Sequence, residues 1–419
     1  METTSPKTAA PSPAAGPYAG PTRGRERIDS LDVLRGFALM GILVMNIQSF
    51  SMPSSAYFVA DSFGTFEGLN RVVWFVGRLF FELKFMAMFS MLFGAGIVLM
   101  SQHRDASGLP VLGVHYRRML LLLVFGCLHA YLIWYGDILV AYAICGMAVV
   151  WVRRWPVRRL AIVGAALIMF GSGIHVLGGL GAQFDPDTAE ALRADYVLSE
   201  EELAEELEAY RGPWRDHFPL RAEETLGMHF FVLPALFFWR ISGLMLIGMA
   251  LFKTDVLSAS RSTAFYLRMA ILGGGVGLPL VAFGAWWDAQ HGFDPAHILG
   301  FGALPNWYGS VGVALMWIAL LMLVCRAVAL RPVHFVLGAY GRMAFTNYIG
   351  QSLLATWVFY GYGLGRFGMM DRVEQAGVVL AIWAVQLTLS PIWLHFFRYG
   401  PLEWVWRSGV YGRPQPMRR

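Results

Sequence analysis

The sequence predicts an all-α protein, a polytopic membrane helical bundle of about ten transmembrane helices with both termini cytoplasmic. Three observations carry that expectation. Of 419 residues, 57% are hydrophobic and 15% charged, and the mean hydropathy is +0.52, more apolar surface than a water-soluble interior absorbs. Ten windows supply the roughly 20 apolar residues that a helix rising about 1.5 Å per residue needs to cross a hydrocarbon core about 30 Å thick. Lys and Arg collect in alternate connections, the bias that marks the cytoplasmic side.

Residues 1–27, rich in Pro, Ala, Gly, Ser and Thr, read as a disordered cytoplasmic tail. The bundle occupies 28–397, with windows at 31–50, 76–101, 116–135, 137–152, 158–181, 226–252, 263–287, 306–328, 336–360 and 375–397, and 398–419 form a cytoplasmic C-terminal segment. Arg23, Arg25 and Arg27 precede the first window; Arg104, Arg117 and Arg118 follow the second; Arg153, Arg154, Arg158 and Arg159 follow the fourth. Lys253, Arg261, Arg268, Arg326, Arg331, Arg398, Arg407, Arg413, Arg418 and Arg419 continue the series on the same side. The opposite connections, Ser51 to Asn70, Tyr135 to Asp137 and Asp288 to Pro305, hold no Lys or Arg. This orientation puts the arginine-rich connections and both termini on the cytoplasmic side, with the lipid bilayer as principal partner. The net charge of +5 falls in short loops between apolar runs, so nucleic acid is not an expected partner.

One outer loop is long. Residues 183–224 carry thirteen acidic and four basic side chains, and Ser199 with Glu202 forms a capping-box signature for a short helix. Leu203, Leu207 and Tyr210 recur at helical spacing as its apolar stripe. The loop reads as a solvated cap over the outer face, or as a selector of a cationic or sugar substrate. Cys127, Cys145 and Cys325 lie inside apolar runs, with no disulfide or metal-ligand spacing. No internal repeat is evident, so an inverted-repeat transporter has no direct sequence support.

Charged groups inside a membrane segment cost about 2.5–3.5 kcal/mol each on insertion scales, which makes them functional candidates. Arg240 lies mid-window, six residues after Pro234, and must line a polar cavity, join a structural ion pair or snorkel to the interface. The third window ends at Trp134–Tyr135, and Gly136–Asp137 opens the fourth, a helical hairpin at the outer face. Asp137 suits an N-cap. His129 needs hydrogen-bond partners in lipid, and it is also the side chain that exchanges protons near neutrality. His175 and His229 are alternatives; His103, His115, His334 and His395 look like decoration of the positive side. Arg78 and Glu82 stand one helical turn apart as a local ion pair, and Lys84 either snorkels or points into a site. Arg342, Thr346, Asn347, Gln351, Ser352 and Thr356 form a polar stripe along the ninth window, suited to cavity lining or to interhelical hydrogen bonding. Gly94 with Gly96 and Gly273 with Gly277 read as close helix packing.

The opening Leu31-Asp32-Val33-Leu34-Arg35-Gly36-Phe37-Ala38, then Met45-Asn46, Lys84-Phe85, Phe89 to Gly94, His129, Gly136-Asp137, Gly341 to Tyr348 and Gly400 to Arg407 resemble the YeiB family of bacterial inner-membrane proteins. The first-span signature is also similar to the wider transmembrane acyltransferase superfamily, which includes heparan-glucosaminide acetyltransferase. That resemblance implies a ten-span bundle that takes an acyl group from a cytoplasmic thioester and delivers it to a hydroxyl or amine at the outer face. Arg35 matches the superfamily's first-span arginine. Asn46 stands where the polysaccharide acyltransferases place a histidine, and Ser51 to Asn70 lacks the histidine of the glucosaminide enzyme.

The expectation is therefore a membrane acyltransferase. His129 acts as base with Asp137. Arg35 and Arg342 hold an anionic donor such as acyl-CoA, while Asn46, Asn347 or Gln351 face the oxyanion. Lys84 and Arg240 join the substrate-binding candidates. No metal or covalent cofactor is expected, and the acceptor would be an outer-face glycan or lipid. The alternative is a small-molecule transporter or exporter using Arg240 and the ninth-window stripe.

Overall fold

The computed structural model describes residues 28–419, apart from the side chain of Asp195; the predicted N-terminal tail lies outside them. Among these residues the named secondary structure is all helical, in the order α1 (Asp29–Ser51), α2 (Ser55–Phe58), α3 (Gly68–Phe80), α4 (Lys84–Ala106), α5 (Leu112–Leu132), α6 (Leu139–Val149), α7 (Val157–Phe184), α8 (Pro186–Tyr196) and α9 (Glu200–Arg211). There follow α10 (Phe218–Gly227), α11 (Phe238–Lys253), α12 (Thr263–Gln290), α13 (Pro295–Ile298), α14 (Ala303–Arg326), α15 (Arg331–Arg342), α16 (Ala344–Phe359), α17 (Arg372–Phe396) and α18 (Pro401–Tyr411). Seven helical stretches are long and apolar enough to cross a membrane by length and composition. The windows at 116–135, 137–152 and 336–360 fall instead on α5, which carries two arginines and two histidines, on the short α6, and on the broken pair α15–α16.

Three windows are not single α-helices. The second breaks where Leu83 adopts a left-handed backbone, φ 63°, so that Lys84 begins α4 and not a continuation of α3. The sixth contains a π-helical stretch, Met228–Phe237, around Pro234; proline has no N–H to donate, and the wider turn absorbs the missing bond. The ninth breaks at Met343, and the free amides that open α16 are met by a side chain from α18: Glu403 Oε1 accepts from Phe345 N at 2.7 Å and Thr346 N at 3.1 Å. A carboxylate at a helix N-terminus is favoured by the amides and by the dipole.

Glycines set the closest helix crossings. A Cβ on Gly94 would collide with the Met245 carbonyl, one on Gly248 with that of Met91, and those on Gly273 and Gly277 with the backbone of Gly312 and Gly309. These contacts bring α4 against α11 and α12 against α14, the small-residue packing expected where no hydrophobic force drives apolar helices together in lipid. Gly96 differs: its nearest neighbour is an Arg35 nitrogen at 3.8 Å.

The acidic loop holds three helices, not one. The capping box at Ser199 and Glu202 starts α9 as expected, and Tyr210 is buried against Phe367 and Tyr360. The loop is more than a solvated cap. Trp214 Nε1, Arg221 Nε and Thr225 Oγ1 donate to the carbonyls of Leu132, Tyr131 and Ala130 at 2.9, 3.0 and 3.3 Å. Those are the last carbonyls of α5, which have no partner within their own helix, so the loop clamps the turn that carries His129.

Candidate functional site

Gly126 and His129 lie one turn apart on α5, facing the start of α6. A Cβ at Gly126 would meet Val140 N at 2.7 Å and Asp137 Oδ1 at 3.0 Å, so only glycine lets the α5–α6 corner close this far. Closure brings Asp137 onto His129. Asp137 Oδ2 lies 2.7 Å from His129 Nδ1, while Asp137 Oδ1 accepts from Val140 N at 2.8 Å. The capping and the histidine-orienting roles are thus divided between two oxygens of one carboxylate. The other imidazole nitrogen, Nε2, lies 2.9 Å from Ser352 Oγ on α16. The side chains of His129 and Asp137 are 1% and 0% exposed, so this chain is shielded from bulk dielectric, where such bonds strengthen one another. With Nδ1–H donating to Asp137, Nε2 is the acceptor toward the serine hydroxyl.

A cavity of about 260 Å³ approaches this centre from one side, lined by neighbours of His129, Asp137 and Ser352 and not by those three side chains. Its deep wall includes Ile138, the neighbour of Asp137, and Tyr348, whose ring centroid is 5.1 Å from that of His129. Its flanks are apolar, including Leu39, Phe89, Phe93 and Leu122. Its charged lining comprises Arg35, Arg118, Arg342 and Arg407 against Asp32 and Glu403, a surplus of two cations. Arg35 pairs with Asp32 at 3.1 Å and keeps a side chain 32% exposed; Arg118 stacks over Trp406, 5.1 Å from its ring centre. Outside the spans, burial raises the Glu403 carboxyl above its ordinary range against the lowering effect of its hydrogen bonds. His115 also borders the cavity. It is fully buried and joined to the Gly146 carbonyl at 2.9 Å, which corrects its reading as surface decoration.

The other expected residues go elsewhere. Asn347 Nδ2 donates to Tyr340 O and Ser390 Oγ at 3.1 and 3.0 Å, and Gln351 Nε2 to Tyr340 Oη at 2.7 Å and to Leu39 O at 3.3 Å. Tyr340 Oη in turn donates to Gln386 Oε1 at 2.9 Å. Much of the ninth-window stripe is therefore the interhelical hydrogen bonding that ties α15, α16 and α17 together, while Ser352 alone of these turns to His129. Asn46 is half-buried on α1 and does not line the cavity.

Arg240 is fully buried but lines no cavity: it donates to Trp307 O and Ser310 Oγ, both at 2.7 Å, and stacks 4.4 Å from the Trp307 ring centre. Lys84 neither snorkels nor reaches the His129 centre. Its Nζ donates to Arg78 O and Asn306 Oδ1, both at 2.6 Å. Arg78 pairs with Glu82, as its spacing suggests, and also with Asp288 at 2.9 Å. His175 is tied to the Leu299 carbonyl at 2.7 Å. The residues that sequence reasoning missed are Tyr348, Arg118 and Arg407, and the pairing of Ser352 with His129; positive-side loops flag the arginines, but nothing local links two residues 223 positions apart.

The family described as a protein of unknown function (DUF418) matches residues 251–413. Over nearly the whole length the chain is similar to two further proteins. The uncharacterized protein YeiB of Escherichia coli (strain K12) is 30% identical over 392 residues, 91% of this chain and 96% of that protein. The uncharacterized protein YxaH of Bacillus subtilis (strain 168) is 30% identical over 408 residues, 95% of this chain and 97% of that protein. With identity at that level along both full lengths, this chain belongs to the YeiB-like family.

Proposed function

We propose that the protein is a membrane acyltransferase that draws an acyl group from an anionic thioester donor such as acyl-CoA and passes it to a hydroxyl or amine. The observation that carries this reading is the continuity between an arginine-lined mouth, an apolar cavity of about 260 Å³ and the buried His129–Asp137 pair beside its deep wall. Each part suits one part of such a donor. Arg35, Arg118, Arg342 and Arg407 match phosphate charge, Arg offering a planar fork of donors. The apolar flanks suit the acyl chain. Asp137 holds the imidazole with Nε2 free to take a proton, which is the requirement on a general base. Tyr142 and Tyr348 bring hydroxyl donors to the deep wall, the chemistry an oxyanion needs.

The bias of Arg toward one side supports a donor bound from the cytoplasmic face of a bacterial inner membrane, and the proposed acceptor is a glycan or lipid at the outer face. The transporter reading draws less support, because Arg240 and the Asn347–Gln351 stripe are engaged with neighbouring helices instead of bordering a path. The test is thiol release from acetyl- and octanoyl-coenzyme A by the purified protein, with a glycan and lipid extract as acceptor. His129→Ala should lower it by about a thousandfold per folded molecule while membrane insertion persists. An equally active variant would remove His129 from the mechanism.

A further inference from the structure

We propose that Ser352 is the nucleophile, so that transfer runs through a serine ester on α16; this rests on the acyltransferase reading above. The bare alternative is a histidine kept neutral in an apolar bundle by any two partners. Three features argue for more. Asp137 Oδ2, His129 Nδ1, His129 Nε2 and Ser352 Oγ follow one another at 2.7 and 2.9 Å, the order of orienter, base and nucleophile that activates a hydroxyl. The usual competitor for a helical serine is the carbonyl one turn back, and here Tyr348 O lies farther away, at 3.4 Å, so the hydroxyl proton is directed to the imidazole. Tyr348 and Ser352 are one turn apart on the same face of α16, and Tyr348 is the cavity wall. Ser352 does not itself line the void, but the Tyr348 ring that does stands 5.1 Å, centroid to centroid, from the His129 ring that Ser352 Oγ meets, so the acyl carbonyl must pass that tyrosine to reach Oγ.

In the first half-reaction Ser352 Oγ gives its proton to His129 Nε2 and forms the bond to the thioester carbonyl carbon. The C–S bond breaks, and the leaving sulfur takes that proton as a thiol. In the second, the acceptor O–H or N–H gives its proton to Nε2 and attacks the serine ester; Oγ leaves and recovers the proton. The sum is one acyl group moved from sulfur to acceptor, with no oxidant or further reactant. An ester intermediate also lets the donor depart before the acceptor arrives, which suits a centre approached from opposite ends of a bundle.

The experiment incubates the full-length purified protein with acetyl- or octanoyl-coenzyme A, quenches in acid and measures intact and peptide masses alongside thiol release. The expected result is one acyl group on the peptide that contains Ser352. Ser352→Ala should lose the adduct and slow thiol release by about a hundredfold or more, with an unchanged melting temperature. Ser352→Cys should carry a thioester that neutral hydroxylamine cleaves, which keeps the proposal testable where the alanine variant folds poorly. Unchanged transfer in Ser352→Ala, with transfer lost in His129→Ala, would overturn the covalent step and leave His129 as the base of direct transfer. Absence of thiol release in the wild-type protein would overturn the acyltransferase reading itself.

Discussion

Two of the buried polar clusters among the described residues differ in what surrounds them. Arg78, Glu82, Lys84, Asp288 and Asn306 form the more highly charged one, gathered from α3, the α3–α4 turn, α4, α12 and α14. Of these, Arg78, Glu82 and Asp288 border a void of about 20 Å³, room for little more than a water. His129, Asp137 and Ser352 carry less charge, yet they stand beside a cavity more than ten times larger with an arginine mouth. Buried charge alone therefore does not mark a reaction centre. What distinguishes the second cluster is an ordered series of donor and acceptor roles next to space that a molecule can fill.

The comparison breaks most sharply under His129→Ala. We expect thiol release per folded molecule to fall by about a thousandfold, within the range of general-base contributions, alongside a lowered melting temperature because the buried Asp137 loses its partner; the same loss of release per folded molecule on removing Lys84 would erase the distinction between the clusters. Asp288→Ala should behave in the opposite way. It takes from Arg78 one of two carboxylates, the one met at 2.9 Å, while Glu82 still holds the guanidinium, and losing a buried charged hydrogen bond costs about 1–3 kcal/mol. Its signature is lost thermal stability with unchanged donor affinity per folded molecule.

The sequence-based reading succeeded where the signal is local. Apolar windows predict the long helices, and the spacing of Ser199 and Glu202 predicts α9. The hairpin with His129 and Asp137 was also legible, because eight residues separate them across a visible corner. The breaks were harder. Leu83 takes a left-handed turn that glycine would have advertised, and Glu403 caps α16 from 58 positions away. Polarity along the ninth window could not say which of its groups face helices and which face the cavity, since that depends on the rotation of α16 against α17 and α5. Arg240 illustrates the same limit: a mid-window cation reads as lining a cavity, joining an ion pair or snorkelling, and here a tryptophan face and a backbone carbonyl receive it.

Smaller perturbations sharpen the contrast. Gly126→Ala should push Asp137 and Val140 away, costing about 1–3 kcal/mol as overpacking and slowing transfer through His129 misalignment; a thermal melt with an activity assay separates the two effects. Gln351→Leu removes a bond to Tyr340 and one to Leu39 O, and should cost about 1 kcal/mol while leaving donor binding intact.

The smallest effect belongs to the outer cap. Glu206 accepts from Ser54 N at 3.0 Å, and burial raises its pKa to about 7. A carboxyl with a raised folded-state pKa binds its proton more tightly in the docked state, so docking strengthens as pH falls from about 7 toward the ordinary glutamate range and weakens as pH rises through 7. Hydrogen exchange in α9 should slow on acidification, by about tenfold at most per pH unit, and Glu206→Gln should flatten that profile.

Photo-crosslinking with a coenzyme A thioester that carries a diazirine at its acyl end tests the central claim most directly. Labelling should fall on Ile138, Leu139, Tyr142 or Tyr348 and weaken when Arg35 and Arg342 are neutralised. Labelling concentrated around Arg240 and Trp307, indifferent to those arginines, would contradict the account.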